Sequence, residues 1–106
     1  MKQDLLKIIS FYGVMPQLKY FQSEVYELGE AIWEYQSSGW DFSDEECAEI
    51  EKKYSNHIAE EIADVMVMLE QFQHYYGIED KEIEEVMKYK VERQLKRIEN
   101  EKDNNH

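Results

Sequence analysis

The chain has 106 residues, of which 42% are hydrophobic, and 24 acidic against 12 basic residues give a net charge of −12. This length favours a single domain with one modest core. The charge argues against binding duplex nucleic acid through a basic surface and against docking on an anionic membrane. With a single cysteine, Cys47, and a polar start, MKQDLLKIIS, the sequence predicts a cytoplasmic protein without an internal disulfide.

Glycine and proline divide the chain into helical segments, and no β-hairpin signal is present. Breaks at Gly13 with Pro16, at Gly39 and at Gly77 predict stops between helices. We place four helices at residues 2–12, 16–37, about 44–76 and 80–101. The expected fold class is all-α, a single helical bundle over residues 1–106 that oligomerises through helix faces, with a frayed tail from about residue 101.

The third helix has the most ambiguous boundaries. Ser43 with Glu46 three residues later resembles a capping box at its start, and Gly77 suits a glycine cap at its end. The stretch YSNH at 54–57 contains good N-cap residues, which leaves open a separate helix over 44–54. The bundle is therefore expected to contain four to five helices.

The second helix carries a continuous apolar stripe whose members recur at steps of three and four: Leu18, Phe21, Val25, Leu28, Ile32 and Tyr35. This stripe is predicted to be core. At about 100° per residue, Glu24 lies roughly 70° and Glu27 roughly 130° to one side of the stripe's centre. We expect the two acids to border the core without entering it.

The third helix repeats this layout, with a stripe formed by Ile58, Ile62, Val65, Met66, Leu69 and Phe72. Glu61 lies roughly 80° and Asp64 roughly 140° from its centre, in the same rotational sense as the acids of the second helix. If the two helices pack antiparallel with their stripes facing, all four carboxylates fall on one side of the seam.

Four converging carboxylates repel one another, and nearby cations would make the arrangement favourable. Oxygen ligands without histidine or thiolate are typical of Mg²⁺, or of Mn²⁺ in its place. The alternative is that acids beside an apolar stripe are simply the solvated surface of an acidic helix. Spacing alone leaves both interpretations open.

The stretches EVYE and EIAD, which contain the four acids, resemble the ExxE and ExxD motifs of the MazG-like all-α NTP pyrophosphatase superfamily. The resemblance extends through VMVML to the last helix and covers roughly residues 16–98. It implies an oligomeric α-helical bundle, bound Mg²⁺, and hydrolysis of a nucleoside triphosphate to the monophosphate and pyrophosphate. The implied metal-binding and catalytic residues are Glu24, Glu27, Glu61 and Asp64.

The last helix presents three basic residues, Lys90, Arg93 and Arg97, at steps of three and four, so they share one face. Such a face suits the phosphates of a nucleotide substrate. Ordinary charge alternation with Glu92 and Glu99 on a solvated helix is the alternative. The sequence does not decide between them.

Aromatic and amide side chains suited to contact a base are available at Gln17, Tyr20, Trp33 and Trp40, and the sequence does not choose among them. The apolar stripes and the eight tyrosines exceed what one small core covers. We therefore expect a homodimer or homotetramer.

Two classes of function follow from these features. One is a Mg²⁺-dependent nucleotide pyrophosphohydrolase, and the other is a non-catalytic acidic module that binds a partner or mimics DNA. A mimic needs no register among its acids, whereas this chain has two pairs at matched offsets and a retained basic cluster. These features favour the enzyme without indicating which nucleotide it cleaves.

Overall fold

The computed structural model describes residues 1–37 and 44–104, and no strand occurs within these ranges. Four helices make up the fold: α1 (Lys2–Tyr12), α2 (Val14–Ser37), α3 (Asp44–Tyr75) and α4 (Asp80–Asn104). The predicted all-α class is confirmed, and none of these helices is both long and apolar enough to cross a bilayer. The predictions at Gly39 and Ser43 lie outside the described residues.

The chain divides into two compact units, which we describe separately. Helices α1 to α3 form the first, Met1–Tyr75, and α4 belongs to the second, which begins at Tyr76. The expectation of a single domain over the whole chain stays a prediction.

Two glycines end helices where the sequence places them. Gly13 has a φ of 94°, and its N–H donates to the Ile9 carbonyl at 2.8 Å. Gly77, with a φ of 69°, follows the end of α3. Both values lie in the region that glycine adopts more readily than other residues. The chain therefore turns from α1 into α2 within one residue, and α2 starts at Val14 rather than at Pro16.

Helix α3 is continuous through the YSNH motif, so the possible separate helix over 44–54 does not form. The Tyr54 ring packs against Tyr35 of α2, with ring centroids 5.9 Å apart. Ile58, one turn later, is half-buried. Packing on both sides of Ser55 and Asn56 thus outweighs their helix propensities, which are less favourable than alanine's by well under about 1 kcal/mol each.

Helices α2 and α3 pack antiparallel, as the sequence predicts. Three cross-helix contacts establish the direction: Gln17 with Gln71, Phe21 with Phe72, and Tyr35 with Tyr54. Gln17 and Phe21, near the start of α2, contact residues near the end of α3, whereas Tyr35, near the end of α2, contacts Tyr54 in the first half of α3. The Phe21 and Phe72 rings meet edge to face with centroids 5.7 Å apart, an arrangement that aromatic quadrupoles favour.

The buried face of α2 differs from the predicted one. Its buried residues are Gln17, Glu24 and Ala31, spaced seven apart, whereas Val25 and Ile32 of the apolar stripe are each 43% exposed. The prediction that Glu24 borders the core was wrong, because only 5% of this residue is exposed. Packing of α1 onto the pair accounts for the difference.

Helix α1 contacts both α3 and α2 and buries its own Leu5 and Ile9. Its Ile8 and Tyr12 lie beside Gln17 and Met68, on the flank that carries the polar residues of the seam. Burial is therefore deepest on the side that α1 covers, whereas stripe residues such as Phe21 and Phe72 are half-buried.

Candidate functional site

Three of the four predicted acids meet at the seam between α2 and α3. One carboxylate oxygen from each of Glu24, Glu61 and Asp64 lies within 4.8 Å of the other two. Glu61 and Asp64 are three residues apart on α3, and the antiparallel packing brings Glu24 of α2 to the same level. Glu24 is buried, Glu61 half-buried and Asp64 exposed, so this acid cluster extends from the interior to the surface.

Glu27, the fourth predicted acid, is exposed one turn further along α2. Its carboxylate is not among the three that lie within this distance. Its negative charge is nevertheless one of the causes that raise the pKa of Glu24. Glu27 therefore lies at the rim of the acid cluster.

Two oxygens of the acid cluster are buried without a hydrogen-bond partner among the described residues: Oε2 of Glu24 and Oε2 of Glu61. A buried polar atom that makes no hydrogen bond destabilises a fold by about 1–3 kcal/mol, and by more when the group is charged. Such exceptions are uncommon in folded proteins and point to a missing partner or a functional role. A cation between these carboxylates would coordinate the unpartnered oxygens and would neutralise their negative charge.

The pKa of Glu24 is raised above the usual glutamate value, chiefly because burial disfavours the charged form. The negative charges of Glu27, Asp64 and Glu61 act in the same direction. A hydrogen bond that Tyr20 donates to the Glu24 carboxylate opposes them. This hydrogen bond and the charge of Glu24 in turn raise the pKa of Tyr20, so its hydroxyl remains a donor at neutral pH.

A cavity of about 590 Å³ lies beside the acid cluster, between α1, α2 and α3. Its walls are mostly apolar or aromatic, with two amides and one carboxylate: Ile8, Tyr12, Pro16, Gln17, Tyr20, Asp64, Val67, Met68 and Gln71. Asp64 belongs to both the cavity and the acid cluster. A ligand that fills the cavity would therefore lie next to any group held by the acids.

Two glutamines form a buried amide pair in the cavity wall. Gln17 donates from Nε2 to Oε1 of Gln71 at 2.8 Å. Gln17 is 8% and Gln71 2% exposed. The Nε2 of Gln71 also donates to the sulfur of Met68 at 3.6 Å, and a thioether is a weak acceptor.

Of the candidate base contacts, Gln17 and Tyr20 line this cavity. Trp33 is exposed and lies with Tyr26 and Gly29 on another part of α2. Trp40 is outside the described part of the chain. The structure thus separates Gln17 and Tyr20 from Trp33.

Gln71 is a cavity residue that the sequence analysis did not identify. The residues Glu61, Asp64, Met68 and Gln71 follow one another at steps of three, four and three, so all four lie on one side of α3. The polar residues of α2 repeat these steps through Gln17, Tyr20, Glu24 and Glu27. Extending the acid motif of α3 by two further steps would have identified Gln71, just as the same extension of the α2 motif reaches Gln17.

The predicted basic residues Lys90, Arg93 and Arg97 lie together on α4, in the second unit. With Gln94 they line a surface depression of about 200 Å³, and all are exposed. The prediction that they share one helix face is confirmed. Their role in phosphate binding stays a prediction.

Comparisons of the chain with protein-family models, with curated proteins and with solved structures find no match in any of the three. The resemblance carried by EVYE and EIAD therefore stays a prediction. The acid cluster and its cavity are the features of the described residues that bear on function.

Proposed function

We propose that the protein is a Mg²⁺-dependent pyrophosphohydrolase that cleaves a nucleoside or deoxynucleoside triphosphate to the monophosphate and pyrophosphate. One observation carries this proposal: the unpartnered oxygens of Glu24 and Glu61 are buried beside the exposed carboxylate of Asp64. The MazG-like resemblance of the motifs that contain these acids supports the same reaction. Because its substrates are cellular nucleotides, we infer a cytoplasmic location.

The donor set fits a hard divalent cation. Glu24, Glu61 and Asp64 offer carboxylate oxygens, which Mg²⁺ and Mn²⁺ prefer. Glu27 at the rim would add a fourth carboxylate. Once bound, such an ion lowers the pKa of water and neutralises the charge of a polyphosphate.

The surrounding side chains have complementary roles in this proposal. The Tyr20 hydroxyl donates to the Glu24 carboxylate and holds it in the acid cluster. Because Asp64 is the exposed member of the acid cluster, an ion held there would be accessible to the substrate phosphates from that side. Phosphoryl transfer depends mainly on positioning and electrostatics, so no protein nucleophile is required.

A separate proposal, from the sequence pattern, concerns the basic face of α4 in the second unit. Lys90, Arg93 and Arg97 together provide three cations along one helix face, which suits the phosphates of the substrate or of the leaving pyrophosphate. Substitution of Arg93 by Gln is then expected to raise the KM for the triphosphate.

The test is a screen of the nucleoside and deoxynucleoside triphosphates with Mg²⁺, with pyrophosphate release as the readout. At least one substrate should be cleaved. Glu61→Gln preserves the size of the side chain and removes a charged ligand. It should reduce kcat/KM by more than the roughly 10–100-fold typical of groups that only support a metal ligand.

The matched control is Glu99→Gln, at an exposed position of α4. This variant should retain both activity and the response to Mg²⁺. If Glu61→Gln behaves like Glu99→Gln, the metal-site proposal is wrong. The acidic partner-binding or DNA-mimicking module would then be the better description.

We also propose that the protein forms a homodimer, or a tetramer of two such dimers, through an apolar flank of α2 and α3. The residues of this apolar flank are Val25, Ile32, Ile62 and Leu69, which are between 42% and 50% exposed. Around the helix axis, Val25 lies roughly 100° from Glu24, and Ile62 lies roughly 100° from Glu61 in the same rotational sense. Tyr20 and Asp64 turn the opposite way, toward α1.

A charge placed on the apolar flank should prevent this association. Ile32→Arg is expected to shift the protein to a monomer at micromolar concentration, whereas Ser23→Arg, at an exposed position outside the flank, should not. Analytical ultracentrifugation measures the mass directly. A monomeric wild-type protein at this concentration would contradict the proposal.

A further inference from the structure

The buried amide pair needs an explanation beyond packing. Apolar side chains at positions 17 and 71 would fill the same space without burying amides, and a buried polar group gains little net stability from a single hydrogen bond. Polar pairs in such positions often select one structure or one ligand. Both glutamines line the cavity of about 590 Å³, which directs attention to a ligand.

The hydrogen bond between the glutamines leaves part of their capacity for another molecule. Gln17 donates through Nε2 and Gln71 accepts through Oε1, so the Oε1 acceptor of Gln17 and an N–H of Gln71 remain. The Gln71 amide donates to the Met68 sulfur at 3.6 Å, which a stronger acceptor would replace. The pair therefore retains one donor and one acceptor for a ligand in the cavity.

This pattern complements the Watson–Crick edge of a nucleobase, where donors and acceptors stand next to one another. Proteins that read an unpaired base combine hydrogen bonds to this edge with stacking on aromatic or apolar side chains. The cavity provides Tyr12 and Tyr20 as aromatic surfaces and Val67 as apolar wall. Its volume lies within the roughly 300–1,000 Å³ common for small-molecule sites.

We propose that this cavity binds the base of the nucleoside triphosphate and that Gln17 and Gln71 read its Watson–Crick edge. The inference rests on the proposed function and adds how the base of the substrate is recognised. Asp64 connects the two sites, since it belongs to both the cavity and the acid cluster. A base in the cavity thus places the attached phosphates toward the acids.

Nucleoside binding without metal tests this inference separately from catalysis. Adenosine, guanosine, cytidine, uridine and the deoxynucleosides are titrated into the protein in EDTA by calorimetry. At least one should bind, and ribose 5-phosphate should not compete with it. Gln17→Met with Gln71→Met should weaken that binding at least about 10-fold, as expected from losing one or two hydrogen bonds. The control Gln22→Met, at an exposed position of α2, should bind as the wild type does.

A second measurement needs no variant. In NMR spectra of the wild-type protein, the side-chain amide signals of Gln17 and Gln71 should move when the bound nucleoside is added, whereas those of Gln22 should not. If no nucleoside binds, or if the bound nucleoside leaves both glutamine signals in place, the inference is wrong.

Kinetics separates this inference from the proposed function. Gln71→Met should change the ratios of kcat/KM among the triphosphates, because the amide contacts the base. An equal loss for every triphosphate would overturn the base-reading role and leave the hydrolase intact. Conversely, nucleoside binding by a wild-type protein that cleaves no triphosphate would support the base site and refute the hydrolase.

Discussion

The seam between α2 and α3 contains two buried polar groups of opposite character. At one level, Gln17 and Gln71 satisfy each other through a 2.8 Å hydrogen bond. Two turns further along α2, Glu24 and Glu61 bury oxygens that no described residue satisfies. Each glutamine thus finds a partner in the other, whereas the buried oxygens of Glu24 and Glu61 have none among the described residues.

This difference has consequences for folding as well as for binding. The amide pair contributes a buried hydrogen bond between the two helices. The acid cluster opposes the same packing, because like charges are brought together away from water. Proteins commonly concentrate such locally unfavourable groups at functional sites and compensate for them elsewhere. Here the packing of α1 and the aromatic contact between Phe21 and Phe72 supply the compensation.

The largest expected difference between the two groups is their response to Mg²⁺. An ion that binds only the folded state stabilises it by about 4 kcal/mol at 1,000 times its dissociation constant. We expect denaturant unfolding in Mg²⁺ and in EDTA to show this gain for the wild type and for Gln71→Met. Glu61→Gln should show much less of it. An equal loss of the Mg²⁺ effect in both variants would remove the distinction between the two groups.

The next effect concerns the amide pair. Gln71→Met leaves the Gln17 amide buried without its partner, which should lower the free energy of unfolding by about 1–3 kcal/mol. Replacing both glutamines by methionine removes the unpaired group, so the double variant should be more stable than the single one. With the other single variant, Gln17→Met, urea unfolding of the four proteins measures the coupling. Additive losses would mean that the hydrogen bond contributes nothing beyond its separate side chains.

Local sequence patterns predicted the helices well. Glycines at 13 and 77 mark real ends, and the apolar steps place α2 and α3 as an antiparallel pair. N-cap propensity is a local property and permits a split at 54–57, whereas the contact of Tyr54 with Tyr35, which keeps α3 continuous, is between helices. The apolar periodicity was enough to predict that the helices exist, but whether α3 is continuous depends on its packing against α2.

The site was only partly predictable for a related reason. Matched offsets bring Glu24, Glu61 and Asp64 together, since register alone determines which residues face each other across the seam. Which side of the seam is buried depends on where α1 packs, and no pattern within α2 or α3 contains that information. Glu24 is consequently more deeply buried, and Ile32 more exposed, than the apolar stripe suggests.

The smallest expected effect is a pH dependence specific to the acid cluster. The pKa of Glu24 is raised in the folded protein, mainly by burial and further by the charges of Glu27, Asp64 and Glu61. Between the ordinary glutamate pKa and this raised value, the folded state binds more protons than the unfolded state. The stabilisation that protonation of Glu24 gives the folded state is therefore complete below the unfolded-state pKa. It is lost as pH rises through the folded-state pKa.

Glu24→Gln removes this titration while keeping a neutral side chain of similar shape. In EDTA, the wild type and the variant should have similar free energies of unfolding at acidic pH, because protonated Glu24 resembles glutamine. The variant should become the more stable of the two as pH rises from about 4 to about 8. Urea unfolding across this range measures the difference, and Glu99→Gln should follow the wild type throughout. A constant difference between wild type and Glu24→Gln would show that Glu24 is not destabilised by its charge, and the acid cluster would then need no cation to complete it.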